Sequence, residues 1–425
     1  MQKFLQKLDK TIFAFLVGWC FFAFFFKVNA LNNLSSILLA FSLLLYIIFD
    51  FKTAKETFVK NLKSNFVFLL LLFILLLGAI IISLNSYFDS SKEFSKLIRR
   101  EILFLILLMF LSWFGKKGLD TQKIAKFCFY ALIISFAVNL IYFFLQDIVA
   151  IEALHRRKHG SKSIIDRYFG KEFDIYFPFV LIAFFITKDK IQKIFFVVIL
   201  CIGTVFLMLS GIRGAILAFA ITAIFMLICF AFKKDLDKKK LFYIFSFVIL
   251  AGLSFTIVVN QNPYLQKKYL HKMTSSGRDI IIKERFPLLL DSKYALTGLG
   301  AGDIQYQKFL NNQPAKIQKK LGHRGKSQTP ELFKTYFFHD EPTLLAVYWH
   351  YGILGTLGLF SVVCLIFFNS IKSFYRENNY YLFAFASSIF SYYFVAGLFE
   401  NYSDFKVLLS FCMLFLVFKF AKSSV

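Results

Sequence analysis

Long apolar runs alternate with short, lysine-bearing polar stretches along almost the whole chain. Runs at about 11–27, 34–50, 66–84, 101–114, 127–146, 173–187, 194–210, 215–232, 241–259, 343–368, 380–398 and 405–420 approach the roughly 20 residues a helix needs to cross a hydrocarbon core about 30 Å thick. The fourth and sixth are short for that task. The pattern predicts an all-α polytopic membrane protein of about 12 transmembrane helices. One polar stretch, residues 260–341, is far longer than the other connections, so the chain divides into spans one to nine (1–259), one large loop (260–341) and spans ten to twelve (342–425). The first run follows "MQKFLQKLDK" and shows no small-residue cleavage site after "FFAFFF", so it reads as a retained span.

Composition agrees. Of 425 residues, 58% are hydrophobic and 61 are Phe, more apolar surface than any soluble domain can cover. A net charge of +25 in a soluble protein would point to nucleic acid; here the basic residues lie in short connections between apolar runs, which makes membrane lipids and topology their first business. The loops "KTAKETFVKNLK", "GKKGLDTQKIAK", "KDKIQK", "KKDLDKKK" and "NSIKSFYREN" place themselves and both termini on the cytoplasmic side. The 260–341 loop then faces outward, carrying fourteen Lys/Arg against seven Asp/Glu, a funnel for anionic ligands. The basic "HRRKHGSKSIIDR" also falls outside, either a departure from the topology rule or an anion-binding site. All six cysteines sit in apolar runs without paired spacing, and His155 and His159, four apart, lie in a basic loop unsuited to a cation; neither a disulfide framework nor a metal site is expected.

Three stretches carry candidate chemistry. In "LSGIRGAILA", Arg213 sits in a turn of about five residues between two spans, where an arginine is costly and needs a partner. It is either an anchor reaching for the interface or a bidentate phosphate ligand beside glycines that let backbone approach. In "TSSGRDIIIKERFPLLLDSKYALTGLGAGD", Arg278 opens a helical stretch, where it pairs with Asp279 or Glu284 or binds an oxyanion with free backbone N–H groups. The "TGLGAGD" that ends it lacks the preceding strand of a dinucleotide fingerprint. In "FFHDEPTLLAVYWHYGILG", Pro342 suits the first position of a helix and the acidic residues before it complement the helix dipole. His339 has no such structural explanation, and an imidazole with its ordinary pKa near neutrality suits a general base. His350, more than two turns into the span, fits a packing role.

Together, the SxxRG turn, the outer loop with "SGR" and "TGLGAGD", the histidine before a span with "YGILG", and "AGLFENYSD" near the C-terminus resemble the O-antigen ligase and polymerase family over residues 160–405. The resemblance implies a metal-independent and cofactor-free membrane glycosyltransferase of C-class-like helical fold in the bacterial inner membrane. It would move glycan from an undecaprenyl-diphosphate carrier to a sugar hydroxyl of lipid A–core on the periplasmic face. It implies that Arg213 and Arg278 hold the diphosphate, with Arg167 of "DRYFGKEFDIYFP" a third basic residue at the site, and that the histidine before the span assists the acceptor. The chain departs from the family's His-Asn, nine residues, Gly-x-x-Gly pattern: counted back from Gly352 and Gly355, that slot falls on Glu341 and Pro342, with His339 upstream, so His339 or Glu341 is the base. A polymerase extending the lipid-linked glycan would share the donor site and differ in acceptor. A protein-modifying oligosaccharyltransferase would need an appended domain to present polypeptide, and a transporter would need ionisable groups at mid-membrane and broken helices in repeated halves.

Overall fold

The computed structural model describes residues 1–25, 29–85, 91–149, 165–166, 168–233, 281–300, 303–318, 321, 342–400 and 405–421, with a few positions between 252 and 266. Every regular element among them is helical. The first nine are α1 (Gln2–Phe22), α2 (Asn29–Phe49), α3 (Phe51–Ser64), α4 (Phe66–Asn85), α5 (Ser91–Trp113), α6 (Thr121–Phe143), α7 (Tyr168–Ile186), α8 (Lys190–Ser210) and α9 (Arg213–Ala231). After a π-helical turn at Ile281–Arg285 come the short α10 (Phe286–Leu290), α11 (Asp303–Asn311) and α12 (Ala315–Gln318), then α13 (Thr343–Glu377), α14 (Tyr380–Ile389) and α15 (Phe405–Lys419). Run 241–259 lies mostly outside the described residues; each of the other runs falls on a helix. Six described helices are long and apolar enough to cross a membrane, or seven if the bent pair α3–α4 counts as one span.

Large apolar side chains on the outer faces, such as Ile37, Phe41 and Ile48 on α2, are more than half exposed. Water would not tolerate such a belt; lipid does. Association in lipid rests on close packing, because burying an apolar side chain against another gains little over burying it in acyl chains. Rings supply much of that packing: Phe374 stacks on Phe383 at 4.1 Å, Phe225 on Phe390 at 4.3 Å, and Phe136 on Tyr176 at 5.6 Å.

The "KTAKETFVKNLK" stretch, read from sequence as a loop, is the helix α3, set at 89° to α4. It buries Ala54, Thr57 and Asn61 at helical spacing, while Lys52, Lys55, Lys60 and Lys63 stay exposed. That is the pattern of a helix lying along an interface.

Polar side chains close this end of the bundle. Asn61 donates to the carbonyls of Leu111 (2.8 Å) and Phe114 (2.7 Å) at the end of α5. Asn379 caps α14 through Leu382 N–H (3.0 Å) and donates to Phe418 O (2.9 Å) at the end of α15. Each satisfies carbonyls that a helix end leaves over. Asp9 accepts from Trp113 Nε1 (2.9 Å) and pairs with Lys116, whose ammonium lies over the Tyr46 ring. The starts of α1, α6 and α14 and the ends of α5 and α15 therefore share one lysine-rich end. The end of α6, the start of α7, the α8–α9 turn, the start of α13 and the end of α14 lie at the other.

At that second end α13 is broken. Gly352 takes φ 64° and ψ −163°, which splits the helix within its third turn. The non-helical segment 295–300 fills the break: Leu299 N–H donates to Trp349 O (2.8 Å), Gly300 N–H to His350 O (2.9 Å), Ile353 N–H to Ala295 O (3.0 Å) and Leu354 N–H to Leu296 O (3.3 Å). The glycines make this approach possible. A Cβ on Gly298 would lie 2.4 Å from Tyr351 N, and one on Gly352 would lie 2.3 Å from Leu296 C. "TGLG" is therefore not a phosphate loop but the partner of "YGILG". A small second core of Leu289, Leu299, Tyr306, Leu310, Leu321 and Trp349 seats the outer helices on α13. Arg285, 2% exposed, is used up inside it, donating to Leu321 O (2.9 and 3.1 Å) and Tyr306 Oη (2.8 Å).

Candidate functional site

The α8–α9 turn is tighter than the sequence suggests. Gly211 takes the left-handed conformation (φ 67°), ends α8 with its N–H on Met208 O (3.1 Å), and only Ile212 separates it from α9. Arg213 is thus the first residue of α9. The capping residue Ile212 has no side-chain acceptor, so the first-turn N–H groups must find other partners. The Arg213 side chain is partly exposed, and no described residue is hydrogen-bonded or ion-paired to its guanidinium. A permanent cation at the rim of an apolar bundle, on the positive end of a helix dipole, is prepared for an anion.

Two other segments meet this turn. Gly214 packs against the end of the α14 run, where a Cβ would lie 2.9 Å from Glu400 Cγ, 3.2 Å from its Oε1 and 3.0 Å from Phe399 Cβ. Glu400 in turn fixes the start of α13: its carbonyl accepts from Thr343 N–H (3.1 Å) and Thr343 Oγ1 (2.9 Å). Pro342 is the capping residue of α13 and not its first helical position, a shift of one residue from the sequence reading. The start of α7 closes the group, since a Cβ on Gly170 would lie 2.6 Å from Ile212 Cδ1. Hence the SxxRG turn, the start of the tenth run, "AGLFE" and the segment just after Arg167 converge within one patch.

α14 reaches the patch by changing its winding, continuing as a π-helix over Phe390–Val395 and a 3₁₀ turn over Ala396–Leu398. Such irregular windings cluster at functional positions. Ser391, in the π segment, donates to the carboxylate of Asp174 (3.2 Å) on α7. Glu172 and Asp174 are fully buried in the first two turns of α7, and Asp147, just past α6, accepts from Asp166 N–H (2.8 Å). The sequence reading passed over all three acids and gave Glu400 no role. Their signal was an acidic residue inside or ending an apolar run, where a charge is expensive without a purpose.

His339, Glu341, Arg278 and Arg167 lie outside the described residues. Pro342, next to Glu341, and Tyr168, next to Arg167, are described, and each begins an element that reaches the Arg213 turn. His350 turns its backbone carbonyl to Gly300 and its ring to Tyr351 (5.7 Å) within the α13 break. The six cysteines are free. No cluster of metal-ligating side chains occurs among the described residues.

Residues 195–360 match the model of a protein family described as O-antigen ligase. Over that segment the chain is similar to the O-antigen ligase family. The matched segment runs from α8 into the second half of α13 and contains Arg213, Arg278, His339 and Glu341, together with the paired "TGLG" and "YGILG". Arg167, Asp174 and Glu400 lie outside it, and the described Asp174 and Glu400 join it only through the fold. No curated protein matches the chain. That similarity supports a role of ligase or polymerase type in lipopolysaccharide biosynthesis, and the long apolar helices support a multi-pass membrane protein.

Proposed function

We propose that the protein is the ligase itself, transferring glycan from undecaprenyl diphosphate to a sugar hydroxyl of lipid A–core at the periplasmic face of the inner membrane. The observation that carries this reading is Arg213: a guanidinium without a partner among the described residues, on the uncapped N-terminus of α9, inside the family segment and beside the start of α13. In the proposed site Arg213 and Arg278 bind the diphosphate, with Arg167 beside them, and neutralise the charge that grows as it departs. His339 or Glu341, just before α13, takes the proton from the acceptor hydroxyl. The acceptor oxygen bonds to the anomeric carbon as the bond to the diphosphate oxygen breaks, so one displacement inverts the anomeric configuration. Undecaprenyl diphosphate leaves with the electron pair, an activated leaving group that needs neither nucleotide nor metal. The positive-inside rule supports the orientation, since the lysine-rich end of the bundle lies opposite this patch.

Deleting the gene tests the acceptor. A ligase leaves lipid A–core bare while lipid-linked polymer accumulates; a core carrying one repeat unit identifies a polymerase instead. Replacing Arg213 or Arg278 by Ala is expected to abolish transfer with normal membrane accumulation, and normal transfer by both variants would remove the basis of the proposal.

A further inference from the structure

Away from that patch, α1 and α6 enclose a furrow of about 590 Å³. The two helices run in the same direction, as the ring pairs Phe13–Phe127 (5.5 Å) near one end and Phe25–Tyr142 (5.4 Å) near the other require. Ala14, Gly18 and Phe21 of α1 face Phe127, Tyr130 and Ile134 of α6, and Lys126 stands at the lysine-rich end. From Ala14 to Phe21 the trough extends about 10 Å along the helices. Gly18 keeps it open, since a Cβ there would meet nothing within 4 Å.

Among the described residues, charge surrounds only one end of the trough. Lys7 and Lys10 lie two turns and one turn before Ala14 on α1, and Lys123 one turn before Phe127 on α6. None of these ammonium groups, nor that of Lys126, has a hydrogen-bond or ion-pair partner among the described residues. The two nearby carboxylates are engaged elsewhere, Asp9 with Lys116 and Trp113, and Asp120 as the cap of α6. An apolar trough running inward from a ring of free cations has the polarity of a phospholipid: chain in the trough, phosphate at the lysines.

We infer that the α1–α6 furrow is a binding site for an anionic glycerophospholipid of the leaflet at the lysine-rich end, with one acyl chain along Gly18 and the headgroup phosphate at Lys126. The full chain, extracted in mild detergent, is titrated with phosphatidylglycerol or phosphatidylcholine of identical chains, and bound lipid is counted by native mass spectrometry. One phosphatidylglycerol is expected to be retained in preference to phosphatidylcholine. Lys126→Glu should lower that preference about fivefold or more, at roughly one ammonium's worth of attraction to an anionic headgroup. Gly18→Leu fills the trough and should remove both lipids, and Ala14→Leu provides the same block where Gly18→Leu does not accumulate. Lys193→Glu, on α8 and away from the furrow, should leave retention unchanged. Equal retention of the two lipids by the wild type, an unchanged preference in Lys126→Glu, or wild-type retention with the trough filled would each overturn the assignment. Binding of glycerophosphate alone, with no dependence on Gly18, would overturn it too by reducing the site to a phosphate-binding patch.

Discussion

Replacing Gly298 by Ala tests whether the insertion of segment 295–300 into the α13 break holds the outer helices over the site. The added methyl would lie 2.4 to 2.5 Å from Tyr351 N, Gly352 N and His350 C, all backbone atoms without a rotamer to move aside. The insertion must therefore withdraw. Four backbone hydrogen bonds of 2.8 to 3.3 Å go with it, each worth about 1 kcal/mol net. Alanine at φ 76° adds roughly 1 kcal/mol of strain. The expected loss is about 5 kcal/mol, a factor between about 10³ and 10⁴ in the docking equilibrium. Hydrogen exchange followed by mass spectrometry reads this at the amides of Ile353 and Leu354, protected in the wild type and released in the variant. Gly118→Ala is the control: its φ is 85°, but a Cβ there meets nothing within 4 Å, so only the strain of roughly 1 kcal/mol applies. Unchanged protection at Ile353 and Leu354 in Gly298→Ala, with transfer equal to that of Gly118→Ala, would refute the reasoning.

Further expectations bear on the site and its frame. Thr343→Val removes the hydroxyl donor to Glu400 O; a thermal-unfolding loss of about 1 kcal/mol is expected, with a larger fall in glycan transfer, since it is the start of α13 that loosens. For the base, transfer by His339→Ala and Glu341→Gln is compared at equal membrane abundance; activity in the first and none in the second assigns the role to Glu341, and the reverse assigns it to His339. Asn61→Leu strands the carbonyls of Leu111 and Phe114 at the far end of the bundle; lower melting temperature in detergent is expected at roughly 2 kcal/mol or more, with transfer per folded molecule unchanged. Asp174→Asn keeps an acceptor for Ser391, so accumulation should hold, whereas Asp174→Leu should lower both accumulation and transfer by releasing the π-helical end of α14.

Sequence alone determined the solvent of this protein and the material of its fold. Apolar runs near the length of a membrane span leave a chain no option but helices, because only a helix satisfies its own backbone in lipid. It also exposed Arg213, since a charge at the rim of an apolar run is visible in one dimension. What it left undecided was pairing. "TGLG" and "YGILG" each look like ordinary glycine-rich turns. They become a unit only when two backbones over fifty residues apart come within hydrogen-bond distance, a contact that writes nothing into side-chain periodicity beyond the absence of a Cβ. Lysines in α3 read as a loop because charge masks a half-buried helical face whose burial depends on α5. Glu400 stood in "AGLFENYSD" without a role until the π-helical winding of α14 carried it across Gly214 to the N-terminus of α9. Hydropathy is local and survives translation into sequence; the convergence of α7, α9, α13 and α14 on one patch is a property of how helices break and rewind, and the tertiary structure alone decides it.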